Sequence, residues 1–369
     1  MKSEIKTGLL FGVAIVAALG ILGVVFSTLD EQTPSTFVST DEQGITKIDK
    51  SGFKKAPELT GIADYLNITA EELENEIDGK VVLYDIWTYS CINCIRTLPF
   101  ITAWDDKYAD QGLLIIGVHS PEFEFEKDIE NVKLAASKHG INYPVVLDND
   151  KETWKAFENN YWPRKYIADH EGYIRYDHIG EGGYRETEKV IQDLLKERAN
   201  AFGMQAAAAK NLVEIDEFEH SWLRSPELYF GYYFAQNRNQ LGNDEGFRPN
   251  QDVTYSIPDS HQRHYFYVDG TWTNLKGSMK LVSDSGKILL PYSGKEVNIV
   301  TAGEAILRIH VDGMSIDPSI AGNDVQNHGV LHVEEPGLYN IVQTEASEDH
   351  TIEIFVDEPG FEIFTFTFG

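Results

Sequence analysis

The segment Val81–Trp87 constrains the fold most, because it has the length of a strand and is apolar or aromatic at every position except Asp85. A strand with one wet face alternates apolar and polar residues. A run without alternation is buried on both faces, as an interior strand of a sheet covered by helices. Leu113–His119 is a second such run, with helical patterns from Cys91 to about Tyr108 and from about Glu126 to Lys138. Pro144–Leu147 reads as a short strand and Glu152–Asn160 as a helix. Tyr166–Ala168 and Ile174–His178 read as a hairpin turned at Asp169–Gly172, and Glu186–Arg198 as a closing helix. Strands alternating with helices, then a hairpin, predict an α/β unit with a mixed central sheet and helices on both faces.

The chain of 369 residues is long enough for a second core. Beyond the Ala206–Ala209 linker or helix end, short β-like runs recur between turn signals. They are Arg263–Val268 before Asp269-Gly270, Lys280–Val282, Lys287–Leu290, Glu296–Val300, Ala305–Val311 before Asp312-Gly313, Val330–Val333, Tyr339–Gln343, Thr351–Val356 and Phe361–Phe368. Strands at that spacing predict an all-β sandwich. The expected organisation is therefore an N-terminal segment over 1–29, a tether over 30–51, the α/β domain over 52–200, and a β-sandwich with its linker over 201–369.

The N-terminal segment differs in kind from the rest. After Lys2 and Lys6, the 19 uncharged residues Gly8–Phe26 would rise roughly 28 Å as a helix, close to the thickness of a bilayer core. The run is longer than the apolar part of a cleaved signal and leads into Ser27-Thr28-Leu29-Asp30 rather than small-x-small. It reads as a single membrane-anchoring helix, with the two lysines inside and the remaining chain extracytoplasmic. A formal net charge of −28 tells against a nucleic-acid partner, since so acidic a chain repels phosphates.

Cys91 and Cys94 are the only two cysteines. A structural bridge closing so small a loop would contribute only about 2 kcal/mol in the chain-entropy model, and disulfide-stabilised secreted domains usually carry several bridges. A structural zinc site would want four Cys or His ligands, and no second Cys pair exists to supply them. Redox chemistry suits the pair better. At the start of a helix, the first sulfur meets unpaired backbone N–H groups and the positive end of the helix, where a thiolate is favoured. The second lies one turn in, within attacking distance. Attack on a client disulfide would give a mixed disulfide that the second thiol resolves. No metal or cofactor is implied.

The segment Asp85-Ile86-Trp87-Thr88-Tyr89-Ser90-Cys91-Ile92-Asn93-Cys94 resembles the active-site segment of the thioredoxin superfamily, over roughly residues 52–198. Pro99 matches the proline of that family's active-site helix, and Trp162-Pro163 its cis-proline loop, which lies against the dithiol and offers backbone to the client. His119-Ser120-Pro121-Glu122-Phe123, Gly180-Glu181-Gly182 and Ser225–Tyr232 extend the resemblance to the extracytoplasmic TlpA-like and DipZ-like thiol-disulfide proteins, the latter carrying a β-rich C-terminal domain.

The resemblance implies a disulfide-reducing enzyme acting on disulfide-containing client proteins and recharged by a membrane thiol donor of the CcdA type, since the multi-helix electron-transfer domain of a full DipZ is not in this sequence. It implies catalytic roles for Cys91, Cys94, Asp85 and Glu122, and client contacts for Trp87, Tyr89, Trp162 and Pro163. Oxidase or isomerase chemistry remains open, as does a carbohydrate- or protein-binding module on a thioredoxin scaffold. Asp85 reads either as a proton acceptor beside Cys94, its pKa raised by burial, or as an acid paired at the strand end. Glu122 reads either as an active-site acid or, with Glu124 and Glu126, as part of a solvated loop. His119 reads as a strand-end residue, and Asn67-Ile68-Thr69 fits a glycosylation sequon.

Overall fold

The structure, a computed structural model, describes residues 38–40, 46–205, 211–221, 224–235, 238, 240–326 and 328–369. The Gly8–Phe26 run and the Ala206–Ala209 linker lie outside the described residues. Among the described residues, no helix is long and apolar enough to cross a membrane. Within the expected tether, β1 (Val38–Thr40) pairs antiparallel with β2 (Thr46–Ile48). The β-branched residues of these two segments favour strand, which the polarity of the stretch obscured.

The α/β domain carries a six-stranded mixed sheet. Its strands are β3 (Asp64–Leu66), β4 (Val81–Trp87), β5 (Leu113–His119), β6 (Val145–Leu147), β7 (Arg164–Ala168) and β8 (Ile174–Ile179), in spatial order β3-β6-β5-β4-β7-β8. β4, β5 and β6 run parallel at the centre, and every residue of β4 and β5 is buried, as the unbroken apolar runs require. The helices are α1 (Ala70–Ile77), α2 (Ile92–Tyr108), α3 (Ile129–Lys138), α4 (Glu152–Ala156) and α5 (Tyr184–Ala201). Alternate residues of β4 face opposite layers. Val81, Leu83 and Trp87 join the core beneath α2 and α5, and Val82, Tyr84 and Ile86 join the core on the other face.

Local chemistry sets the element ends. Thr69 and Glu72 form a reciprocal capping box at the start of α1. Asn67 of the sequon donates its amide to the carbonyls of Ile141 and Tyr143 at 3.1 and 3.0 Å, so the nitrogen a glycan would use is engaged. The helix expected from Glu126 begins only at Ile129, because Asp128 caps it by accepting from the Glu130 N–H. The helix expected over Glu152–Asn160 stops at Ala156, shortly before Glu158 turns to φ +52°. The predicted hairpin is present, its turn closed by the Gly172 N–H on the Asp169 carbonyl at 2.7 Å.

The C-terminal domain differs from the predicted sandwich in one respect. Its strands form one continuous ten-stranded sheet rather than two separate ones. They are β9 (Leu228–Tyr229), β10 (Asp252–Tyr255), β11 (Tyr267–Asn274), β12 (Met279–Leu281), β13 (Gly286–Ala302), β14 (Ala305–Val311), β15 (Met314–Ser315), β16 (Val330–Val333), β17 (Gly337–Val356) and β18 (Glu362–Phe368). The runs Lys287–Leu290 and Glu296–Val300 belong to the single strand β13, and Tyr339–Gln343 and Thr351–Val356 to β17. β13 pairs with β11 through Lys287–Leu289 and with β18 through Val297–Ala302. Because β12 links β11 to β18, the sheet closes on itself there and wraps one apolar core. Asp269-Gly270, read as a turn, lies inside β11, with Gly270 at φ +98° and its Cα facing the Ser285 carbonyl closely enough to exclude a side chain.

The segment after α5 returns to the α/β domain. Val213 and Ile215 pack on the core beneath α2, and the Val213 N–H donates to Glu188 at 2.8 Å. A fragment ending near residue 220 is therefore expected to unfold in urea as one cooperative transition and at higher denaturant than a fragment ending near residue 200. Identical midpoints would show the return segment to contribute nothing.

Candidate active site

The loop Thr88–Ser90 carries the chain from β4 to α2, and Cys91 occupies the N-cap of that helix. Its side chain makes no capping hydrogen bond, so first-turn amides remain available to negative charge at that end. Cys91 is half-buried and Cys94, one turn in, is 1% exposed; both are free thiols. Burial and the hydrogen bond with Cys91 raise the Cys94 pKa well above its ordinary value. The Cys91 and Cys94 side chains share one apolar cluster with Trp87, Tyr89 and Trp162.

Asp85 is 1% exposed, and burial raises its pKa to about 6 against the opposing pull of Lys165. Lys165 was missed in the sequence. It stands directly across from Asp85 in the antiparallel β4/β7 register and is fully buried. Its ammonium donates to the Gly180 carbonyl at 3.0 Å, and burial lowers its pKa. Directly opposed residues project to the same face, so the acid and the base both lie on the Cys94 side of the sheet. The signal was available only as an alternation, Lys165 with Ile167 inward, once β7 was known to pair with β4.

The remaining predicted residues fall into two groups. Trp87 packs edge-on against His119 at 5.3 Å, and Tyr89 stacks on the same ring at 5.7 Å. Burial lowers the His119 pKa to about 3, so the imidazole is neutral. The Trp162–Pro163 bond is cis, and the Trp162 indole donates to the Ser120 carbonyl at 2.9 Å. The indole therefore meets the loop after β5, while the β4/β7 register, with Ile86 opposite Arg164, sets Pro163 beside the end of β4 from which the dithiol loop departs. Glu122 belongs to the loop that Glu126 ties to Thr88 and Ser90, and its side chain meets the C-terminal domain. It is half-buried there, accepting from the Tyr229 hydroxyl at 2.9 Å, while Glu227 stands 2.8 Å from the same oxygen. Burial, with Glu227 and Glu126 adding repulsion, pushes its pKa up to about 8.

Glu126, read as part of a solvated loop, is fully buried. It accepts from the Thr88 and Ser90 hydroxyls at 2.6 Å each, and from the backbone N–H groups of Glu122 and Phe123 at 2.5 and 2.8 Å. On the outer side of α2, Arg96 pairs with Glu181 of its own domain and Glu296 of the C-terminal domain, and stacks over Phe218 at 3.4 Å.

A half-buried thiol at a helix N-cap, a buried partner one turn on and a cis-proline loop beside them define a thioredoxin-like dithiol site. Comparison with known proteins agrees. Residues 22–195 match the family described as Redoxin, and residues 225–369 the one described as thioredoxin-like C-terminal domain. Protein DipZ of Mycobacterium bovis is 32% identical over 336 residues, 90% of this chain and 45% of its own; the chain therefore spans about half the length of that relative. Thiol-disulfide oxidoreductase YkuV of Bacillus subtilis is 36% identical over 143 residues, covering 38% of this chain and 94% of its own. A solved thioredoxin-like protein in the oxidised form is 35% identical, with 39% and 97% coverage and a TM-score of 0.36. The chain belongs to the thioredoxin superfamily and is similar to DipZ and to the thiol-disulfide oxidoreductase YkuV.

The Asp85 environment has a consequence for stability. The folded chain holds this proton up to about pH 6, whereas the unfolded chain releases it near 3.8. The stability it contributes is full below pH 3.8 and lost as pH rises through 6. Asp85→Asn should therefore match the parent at low pH and exceed it by roughly 3 kcal/mol at pH 8, read from urea unfolding at both pH values. Equal stability at pH 8 would mean that Lys165 fully compensates the buried carboxylate.

Proposed function

We propose that the protein is a membrane-anchored, extracytoplasmic disulfide reductant in which Cys91 attacks the client and Cys94 resolves. The contrast between a half-buried Cys91 and a buried Cys94 backed by Asp85 carries this reading. The Cys91 thiolate attacks one sulfur of a client disulfide, forming a Cys91–client disulfide and releasing the other client sulfur as a thiolate. Cys94 then gives its proton to Asp85 and attacks the Cys91 sulfur. The products are a Cys91–Cys94 disulfide and a second client thiolate, so two electrons pass to the client. Lys165, held opposite Asp85, keeps that carboxylate from being too strong a base to give up the proton again.

Trp162 and Pro163 offer the client a rigid wall, and Trp87 and Tyr89 pack the loop behind the sulfurs. Glu122, bound into the domain junction, is assigned a structural part rather than a catalytic one. The apolar run Gly8–Phe26 supports anchoring, and a membrane dithiol donor of the CcdA type would return the site to its reduced form.

Replacing Cys94 with Ala removes the resolving thiol while leaving the attacking one. The variant is expected to accumulate mixed disulfides through Cys91, seen as adducts on non-reducing gels and lost on addition of reductant. A variant lacking both cysteines should form none. If Cys94→Ala forms no adduct under any redox condition, the order of attack is wrong.

A further inference from the structure

A cleft of about 590 Å³ opens beside the dithiol, with the α/β domain on one side and the C-terminal domain on the other. That volume lies within the roughly 300–1,000 Å³ of a ligand-holding site, enough for a short stretch of extended chain. Its α/β wall includes Tyr89, Ile92 and Ile95, and Ile92 directly follows Cys91 in the chain. Neither cysteine lines the cleft, and an occupant meets the dithiol helix at the residue that follows Cys91.

The opposite wall has a distinct charge. Asp324, Glu334 and Glu335 line it, and Glu334 and Glu335 are exposed. Among the described residues no cation forms an ion pair with any of the three, whereas Glu296, which also lines the cleft, is neutralised by Arg96. Lys138 on the α/β wall offsets only part of this charge. Asn298 adds a second and independent feature. It lines the cleft and is fully buried, its Oδ1 accepts from the Asn340 amide at 2.9 Å, and its Nδ2 has no partner among the described residues. The Asn340 bond fixes which way the amide points and leaves an unused donor in the buried layer of the cleft wall. Leaving such a donor unpaired costs about 1–3 kcal/mol, which a carbonyl of an incoming peptide would offset.

We propose that this cleft docks an extended, positively charged segment of the client polypeptide, with the C-terminal domain supplying the acidic wall that selects it. This rests on the dithiol being an exchange site and names its substrate class. Apolar contacts with Ile92 and Ile95 hold the backbone of the segment against the dithiol helix. The carboxylates meet its lysines or arginines, and Asn298 meets a backbone carbonyl.

The test uses the full chain and two cysteine-free extended peptides of equal length, one Lys-rich and one Glu-rich. Because the whole chain carries a net charge of −28, general attraction must be separated from the cleft. Affinities are therefore measured for the parent, for Glu334→Gln/Glu335→Gln, and for the charge-matched Glu71→Gln/Glu74→Gln on the exposed side of α1. The parent and the α1 variant should bind the basic peptide about tenfold or more tightly than the acidic one, and the cleft variant should lose most of that preference. Equal weakening in both variants, or no preference in the parent, would overturn the proposal. Reduction of a low-mass disulfide by the parent is followed in parallel. A parent that binds the basic peptide but leaves that disulfide intact would contradict the exchange function separately, and with it the assignment of the occupant as a client.

Discussion

Glu126 joins the two loops that frame the dithiol. Its carboxylate takes the Thr88 and Ser90 hydroxyls on one side and the Glu122 and Phe123 backbone N–H groups on the other. A buried carboxylate with no partner would cost several kcal/mol, but hydrogen bonds to a charged acceptor contribute about 1.5–3 kcal/mol each, and here at least four converge. A network so fully satisfied fixes geometry as well as energy. The position of Cys91 depends on it, because Thr88–Ser90 is the whole link between β4 and the helix that Cys91 begins.

The same loop couples the site to the second domain. Phe123 and Phe125, on either side of Glu124, pack with Phe364, Tyr229 and Val300 of the C-terminal sheet. Arg96, two residues beyond Cys94, reaches Glu296 and Phe218. The C-terminal domain therefore abuts the dithiol helix and the loop that supports it. The wall it adds to the cleft follows from how it is held.

Features whose physical cause is local were legible in the sequence. Unbroken apolar runs placed β4 and β5, the Cys-x-x-Cys spacing placed the dithiol at the start of α2, and Asp169–Gly172 marked a true turn. Features that depend on distant partners were not. Glu126 reads as one acid among several until the hydroxyls of residues 38 and 36 positions earlier are folded onto it. Lys165 acquires meaning only from the β4/β7 register. The runs Lys287–Leu290 and Glu296–Val300 read as two strands but belong to one, β13, which carries Pro291 inside it. That proline falls in the interval between the β11 and β18 pairings, opposite Thr351 of β17, and its carbonyl accepts from the His264 N–H at 2.9 Å, so the strand continues without a proline N–H.

The account turns on a difference in access between two sulfurs, one at the mouth of a helix and one in the core behind it. Alkylation of the reduced chain with iodoacetamide, followed by mass mapping of each cysteine in the native state and in urea, measures that difference directly. The account predicts that Cys91 is modified in the native state and that Cys94 is modified only after unfolding. Modification of Cys94 in the native state at the rate of Cys91 would contradict it.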